Sequence, residues 1–413
     1  MLFSAPFRNL QDKTQVFPLP ENAFVHTRLT HSLEVASVGR SLGKQVGDFL
    51  LQRYTSLQEN YTTADIAAIV SAAALCHDIG NPPFGHAGET ALSDYFRFGE
   101  YGMVWQRYVQ PEEWEDLIAF EGNAQGLRML SAPQSGLNLS AATVAAFMKY
   151  PRPAQLFQPD PHRKSQKKYG FFADQAKDVE ALYSYLGIPE IGSGAFYRHP
   201  LSFLVEAADD ICYSMIDLED ACTLGLISEN TYVELLASLL GHRFQPEKLR
   251  AYPEKTQRLA VLRSLAIGTL IDSCAAVFRE EESAMRKGTF DQALTSCIPE
   301  KEPLNAIAHF SVQHIYRSAP VLEKEAAGFQ VLEGLLEAFL RAFHHARYQT
   351  ERYGGKDKSM LRLLPESLQL KIKQEEFSTY TLLRLLLDHI SGMTDKQSLT
   401  LYRKVRGISL PGH

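Results

Sequence analysis

The stretch TTADIAAIVSAAALCHDIGNPPFGHAGET, Thr62–Thr90, decides the fold. Thr62 and Asp65 stand in capping-box spacing, and Ile66, Ile69, Val70 and Ala73 repeat at three and four residues, so the first half reads as a buried helix. His77 and Asp78 are expected in its last turn, and Gly80, Asn81, Pro82 and Pro83 stop it. Just beyond the stop lies a second polar pair, His86 and Glu89. Two such side chains at the end of a buried helix are costly to desolvate unless something binds them, and a divalent cation is the usual answer. A His-Asp dipeptide also occurs by chance, so its meaning depends on what else converges on it.

Toward the N-terminus, Val35, Val38, Leu42, Val46, Phe49 and Leu50 mark one face of a helix from Thr30 to about Tyr54, with His31 in its first turn. A histidine there is a surface residue, a cap or a ligand. Arg28, just ahead of it, suits a site that neutralises phosphate as well as holding a cation. The first thirty residues, interrupted by Pro6, Pro18 and Pro20, read as loop.

Toward the C-terminus, the aromatic stretch from Phe96 to Trp114 reads as a lid or a packing arm. In FEGNAQGLRML, Phe120 to Leu130, the polar Glu121, Asn123 and Gln125 either cap a helix or face a cleft. A further helix from Ser140 ends before Pro151 and Pro153. The basic segment 158–172 is either a solvated, mobile loop or a phosphate-contacting one using Arg163, Lys167 or Lys168. In RHPLSFLVEAADDICYSMIDLEDACTLG, Asp209, Tyr213 and Asp217 lie four apart on one helix stripe, flanked by Asp210 and Glu219. That face is either solvated or relieved by a cation. From Glu229 to His413 the periodicity is helical throughout, and the adjacent His344 and His345 diverge too far to be good co-ligands.

Composition narrows the class. A chain of 413 residues exceeds the size at which one core stops growing, so a large helical domain with added lobes, or two domains, is expected. Lys and Arg total 42 against 48 Asp and Glu, a net charge of −6, and nucleic acid is not the default partner. The N-terminus turns polar at once, unlike a signal peptide, and no apolar run approaches membrane-spanning length. Five scattered cysteines without C-x-x-C spacing read as buried thiols in a reducing cytosol, hence a cytoplasmic protein.

His31, the His77-Asp78 pair and Asp209 each fall on their own helix in the order H…HD…D, and facing helices of a bundle commonly build metal sites this way. That pattern resembles the HD-domain metal phosphohydrolases. FSAPFRNLQDKTQVFPL, RLTHSLEVA, HDIGNPPFGHAGE, FEGNAQGLR, KYGFF, EAADDICYSMIDLEDA and DHISGMTD are similar to motifs of the bacterial deoxyguanosine triphosphate triphosphohydrolases and their broader dNTPase relatives, over nearly the whole chain. The resemblance implies an all-α fold, an HD-domain helical bundle with an additional helical C-terminal lobe. Residues 1–225 would hold the metal core, with an insertion around 95–200, and 226–413 would complete the cleft and supply an oligomer interface.

It implies hydrolysis of deoxynucleoside triphosphates to deoxynucleoside and inorganic triphosphate, with a divalent Mn²⁺, Mg²⁺ or Fe²⁺ ion. His31, His77, Asp78 and Asp209 match the metal ligands, and His86 and Glu89 the catalytic pair. Asp209 is preferred over Asp210 because Tyr213 follows it by four residues, where the family places its sugar-stacking tyrosine. Gln15, Val16, Arg28, Lys168, Tyr169, Tyr213 and Asp217 match substrate contacts. A homo-oligomer, often a hexamer in this family, is expected; dNTP or single-stranded DNA effectors have no support in these residues. Two departures are a short arm before FSAPFR and Asn81 where many relatives carry His. The competing readings are an HD phosphohydrolase of another nucleotide and a silent nucleotide- or DNA-binding regulator.

Overall fold

The structure, a computed structural model, describes residues 1–17, 25–155, 159–372 and 374–409. Residues 18–24 of the expected N-terminal loop, Gln158 of the basic segment, and residues 373 and 410–413 of the helical C-terminal half lie outside the described residues. The fold is all-α: nineteen α-helices and one two-stranded antiparallel ribbon, Glu190–Gly192 with Ala195–Phe196, make up the regular structure among the described residues, together with short 3₁₀ turns.

Thr63–Cys76 is closed at its start by a reciprocal pair. The Thr62 side chain accepts from the Asp65 N–H, and the Asp65 carboxylate accepts from the Thr62 N–H at 2.8 Å. The helix ends one residue sooner than expected. His77 is its C-cap and Asp78 lies in the turn beyond, because Gly80 at φ +121° swings the chain away. Arg28–Arg53 starts on a second capping box, Thr27 with Thr30, and lies close against Thr63–Cys76. Gly39, Gly43 and Gly47, four apart, make that approach; a Cβ at Gly43 would meet Ala67 Cα at 2.9 Å.

Two apolar cores hold the chain. The larger joins Arg28–Arg53, Thr63–Cys76, Ser202–Thr223 and Lys255–Arg286. In the second, Phe84 to Phe120 packs against Val331 to Ile390. The aromatic stretch is a packing arm there: Trp105 is fully buried, 4.8 Å from the Phe343 ring. His344 and His345 belong to the same aromatic cluster, and His345 Nδ1 pairs with Asp357 Oδ2 at 2.9 Å.

Three expectations need correcting. The N-terminal region is not all loop, since Ala5–Arg8 is helical and Asn9–Asp12 forms a 3₁₀ turn that buries Leu10. Cys297 is exposed, and the other four cysteines are buried. Lys255–Arg286 is long and apolar enough to cross a membrane by length and composition, because Arg263 and Asp272 are spaced widely along it; half of its most apolar window is nevertheless buried inside the protein.

Candidate metal centre and hydrolytic cleft

Three helices bring the H…HD…D residues together. His31 comes from the first turn of Arg28–Arg53, His77 and Asp78 from the end of Thr63–Cys76, and Asp209 from the second turn of Ser202–Thr223. His31, His77 and Asp78 each present a ligand atom within 4.8 Å of the others. Asp209 Oδ1 completes the set, 3.2 Å from His31 Nε2 and 3.4 Å from His77 Nε2. It is Asp209, not Asp210, that reaches the imidazoles; Asp210 Oδ2 accepts instead from the Thr295 hydroxyl at 2.8 Å.

The donor set fits a cation. His77 Nδ1 donates to the Ala74 carbonyl at 2.7 Å, which leaves Nε2 with its lone pair facing Asp78 Oδ2 at 3.6 Å. Both His77 Nε2 and Asp78 Oδ2 are buried without a hydrogen-bond partner among the described residues. Orphaned buried donors and acceptors of this kind are rare unless an ion or water completes them. Burial pushes both carboxyls up, yet both lie below the ordinary aspartate range, because Arg28 with His77 and His31 together outweigh burial at Asp78, and Lys149 with the same two imidazoles does so at Asp209. The centre is therefore anionic and ready for metal.

His77, Asp78 and Asp209 open onto a cleft of ≈ 640 Å³, and His31 is buried beside them. Arg28 lines the cleft, with Nη1 donating to Asp78 Oδ1 at 2.8 Å and its buried Nε without a partner among the described residues. On one wall His86 Nδ1 meets Glu89 Oε2 at 2.6 Å, and the imidazole projects outward, 81% exposed. Glu89 is held from two further sides. Its Oε1 accepts from the Gly122 N–H at 2.7 Å and Lys168 Nζ lies 4.0 Å from Oε2. Burial would raise the Glu89 carboxyl; the hydrogen bond with His86 and the charge of Lys168 outweigh it and hold it below the usual range.

Gln15, Val16, Arg28, Lys168 and Tyr213 all line the cleft, as do Lys167 and Asn123. Tyr169 and Asp217 are not brought to its surface. The Tyr169 ring is buried against Phe172 with its hydroxyl donating to the Ala119 carbonyl at 2.5 Å, and Asp217 is buried accepting from the Tyr316 hydroxyl at 2.8 Å. Arg163 also turns away, with its guanidinium over Tyr197. The basic segment is anchored, since Ser165 Oγ donates to buried Asp291 at 2.5 Å. Glu121 caps its helix and accepts from Lys168 Nζ at 3.1 Å, whereas Gln125 is committed to Asp388 and Arg384.

Among the cleft residues that escaped the sequence reading, Lys149 and Tyr316 touch those it named. Lys149 Nζ pairs with Asp209 Oδ2 at 2.5 Å, fixing the carboxylate whose other oxygen faces the imidazoles. Tyr316 stacks on Tyr213 with ring centroids 5.5 Å apart and carries the bond to Asp217. Lys149 stands just past the short Ala141–Phe147 helix, and Tyr316 lies about a hundred positions from its partners, so neither belongs to a periodic signal.

An HD domain model matches residues 28–109 and a phosphohydrolase-associated domain model residues 300–404. HD domains are metal-dependent phosphohydrolases, and that is the class this fold and centre define. The deoxyguanosinetriphosphate triphosphohydrolase-like protein of Synechocystis sp. is 38% identical over 99% of this chain and 92% of its own length. The protein of the same name from Pseudomonas aeruginosa is 34% identical over 100% and 92%, and the deoxyguanosinetriphosphate triphosphohydrolase of Yersinia enterocolitica is 31% identical over 97% and 91%. The chain belongs to the deoxyguanosinetriphosphate triphosphohydrolase-like family of HD-domain phosphohydrolases.

Proposed function

We propose that the cleft hydrolyses deoxynucleoside triphosphates, dGTP among them, to the deoxynucleoside and inorganic triphosphate. The observation that carries this reading is the sharing of one cleft by three groups: His77, Asp78 and Asp209 of the centre that buried His31 completes, His86 held by buried Glu89, and the cations Arg28, Lys167 and Lys168. The names of the relatives point to the same chemistry.

Two imidazole nitrogens and two carboxylates suit Mn²⁺ or Fe²⁺ better than Mg²⁺, and such an ion supplies Lewis-acid polarisation of a phosphate oxygen and a more acidic water. Arg28 lines the cleft while its Nη1 stays on Asp78 Oδ1, so the rest of the guanidinium takes a phosphate oxygen without releasing that carboxylate. Glu89 accepts from His86 Nδ1–H, which leaves Nε2 as the proton acceptor for a water attacking the α-phosphorus. The new bond joins that water oxygen to Pα and the Pα–O5′ bond breaks. The proton held by His86 passes to O5′, giving the deoxynucleoside, and intact triphosphate departs. Arg28 and Lys168 stabilise the charge that develops on it. Tyr213, backed by Tyr316, offers a flat wall to the deoxyribose and leaves little room for a 2′-hydroxyl; equal rates on GTP and dGTP would overturn that last step.

The test is a product assay by ion-exchange chromatography, with Mn²⁺ or Mg²⁺ and each of the four dNTPs beside GTP. Deoxynucleoside with intact triphosphate, and turnover lowered about 100-fold or more in His86→Ala, is the expected result. Monophosphate or pyrophosphate as product would transfer the cleft to another nucleotide reaction. No turnover of any nucleotide, alone or in pairs, despite bound metal would point to an activator-dependent enzyme or a sensor.

A further inference from the structure

The DHISGMTD segment lies outside the cleft wall, yet the residue that follows its Thr394, Asp395, reaches two arms of the cleft at once. Asp395, 7% exposed, is the first residue of the Asp395–Val405 helix. Its Oδ2 accepts from the Thr14 N–H at 3.2 Å and from the Thr14 hydroxyl at 2.5 Å. Its Oδ1 accepts from the Phe84 N–H at 3.0 Å. Thr14 immediately precedes Gln15 and Val16 on the cleft wall, and Phe84 stands two residues before His86. Phe84 is also strained. Its φ is +65°, a region a phenylalanine adopts only where its surroundings over-determine it.

Lys13 closes the same junction. Its buried ammonium donates to the Asn81 carbonyl at 2.6 Å and to the Ser391 carbonyl at 2.7 Å. The Lys13 carbonyl in turn accepts from the Arg28 N–H at 3.2 Å.

We propose that Asp395 is a positioning residue of the reaction, its two carboxylate oxygens setting the distance between the Gln15–Val16 segment and the strained turn that aims His86. The proposal rests on the roles given above to His86 and to Gln15 and Val16. A single carboxylate does this because each oxygen serves a different arm, so movement of either arm is transmitted to the other. Asparagine in its place keeps the shape and retains one acceptor, but its amide group cannot accept from both Thr14 and Phe84.

The test uses the full chain as Asp395→Asn, Thr14→Val and the double variant. The readouts are kcat and KM for triphosphate release, Mn²⁺ affinity by calorimetry, and amide hydrogen exchange over 13–17 and 84–89. Asp395→Asn should lose about 10- to 100-fold in kcat, as expected when a reacting group shifts by a fraction of an ångström to an ångström. Mn²⁺ affinity should stay close to wild type, since the four centre residues lie on other elements, and KM should rise as Gln15 and Val16 loosen. Exchange should quicken in both segments, and the double variant should be no worse than Asp395→Asn alone, because both changes break one junction. An unchanged kcat, or losses that simply add, overturns the proposal. Should Asp395→Asn not fold, Thr14→Val decides alone through exchange at 84–89, an arm it does not touch; unchanged protection there overturns the proposal. If the wild type cleaves no dNTP, the functional reading falls, and the exchange data still decide whether Asp395 joins the two arms.

Discussion

Gly122→Ala probes the His86–Glu89 pair without altering either residue. Gly122 opens the Gly122–Ser131 helix, and a Cβ there would stand 2.7 Å from Glu89 Oε1 and 2.5 Å from Asn81 Oδ1. Carbon–oxygen contacts settle at roughly 3.3 Å or more, so Glu89 must retreat by about 0.6 Å. That retreat draws out either the 2.7 Å bond from the Gly122 N–H or the 2.6 Å bond to His86. A hydrogen bond to a charged group is worth about 1.5–3 kcal/mol. If that amount is lost only where His86 acts, kcat falls about 10- to 100-fold. Stability should fall by about 0.5–2 kcal/mol, the lost bond less the roughly 1 kcal/mol that alanine gains over glycine within a helix. The assay pairs triphosphate release with a thermal melt. Wild-type kcat in a folded Gly122→Ala protein would refute the claim that Glu89 must be held to the 2.6 Å bond for His86 to work.

His77→Ala should abolish Mn²⁺ binding in a calorimetric titration, because it removes the nitrogen whose lone pair is left open by the bond to Ala74; undiminished affinity would refute the centre. His26 gives a pH test. Its ring lies between Asp220 at 2.8 Å and Glu34 at 3.3 Å; burial opposes its charge, the two carboxylates outweigh burial, and the pKa rises from 6.5 to about 10. The folded protein keeps a proton that the unfolded chain releases, so this stabilisation is whole below pH 6.5 and fades as pH climbs toward 10. Melts of His26→Gln should show a shallower loss of stability between pH 7 and about 10, and an unaltered slope would contradict the pairing. Trp105→Ala, which empties a site buried against Phe343 and His344, should cost about 3–5 kcal/mol in denaturant melts; a loss well under about 1 kcal/mol would mean that the second core closes over the gap.

What the sequence disclosed follows from range. Local signals were legible: the Thr62–Asp65 box, the stop at Gly80 to Pro83, and the three-residue spacing that lets His86 reach Glu89. The convergence of His31, His77, Asp78 and Asp209 was legible from the order H…HD…D and its family resemblance, since polar residues on separate apolar helices are costly to bury unless they share a ligand. Contacts between distant positions were not. Nothing local in Lys149 announces Asp209, and nothing in Asp217 announces Tyr316, because a single ion pair or hydroxyl leaves no period in the chain. Tyr169, singled out by the resemblance of its motif, turns its ring inward to Phe172 while Lys167 and Lys168 beside it face the cleft, and no local signal separates the two.

The division between the two cores has a consequence for how the protein is made. A growing chain that has reached Asp209 already contains all four residues of the metal centre. The helix carrying His86 is in a different position, for the buried partners of Phe84 to Phe120 begin only at Val331. Roughly 210 residues of synthesis separate Phe120 from Val331, about 10–40 s at ribosomal speeds of ~5–20 residues per second. During that interval the aromatic arm has no surface to settle on, and Asp395 has not yet been added to join Thr14 to Phe84. The order of translation thus keeps the reacting half of the cleft unassembled until almost the last helix has left the ribosome.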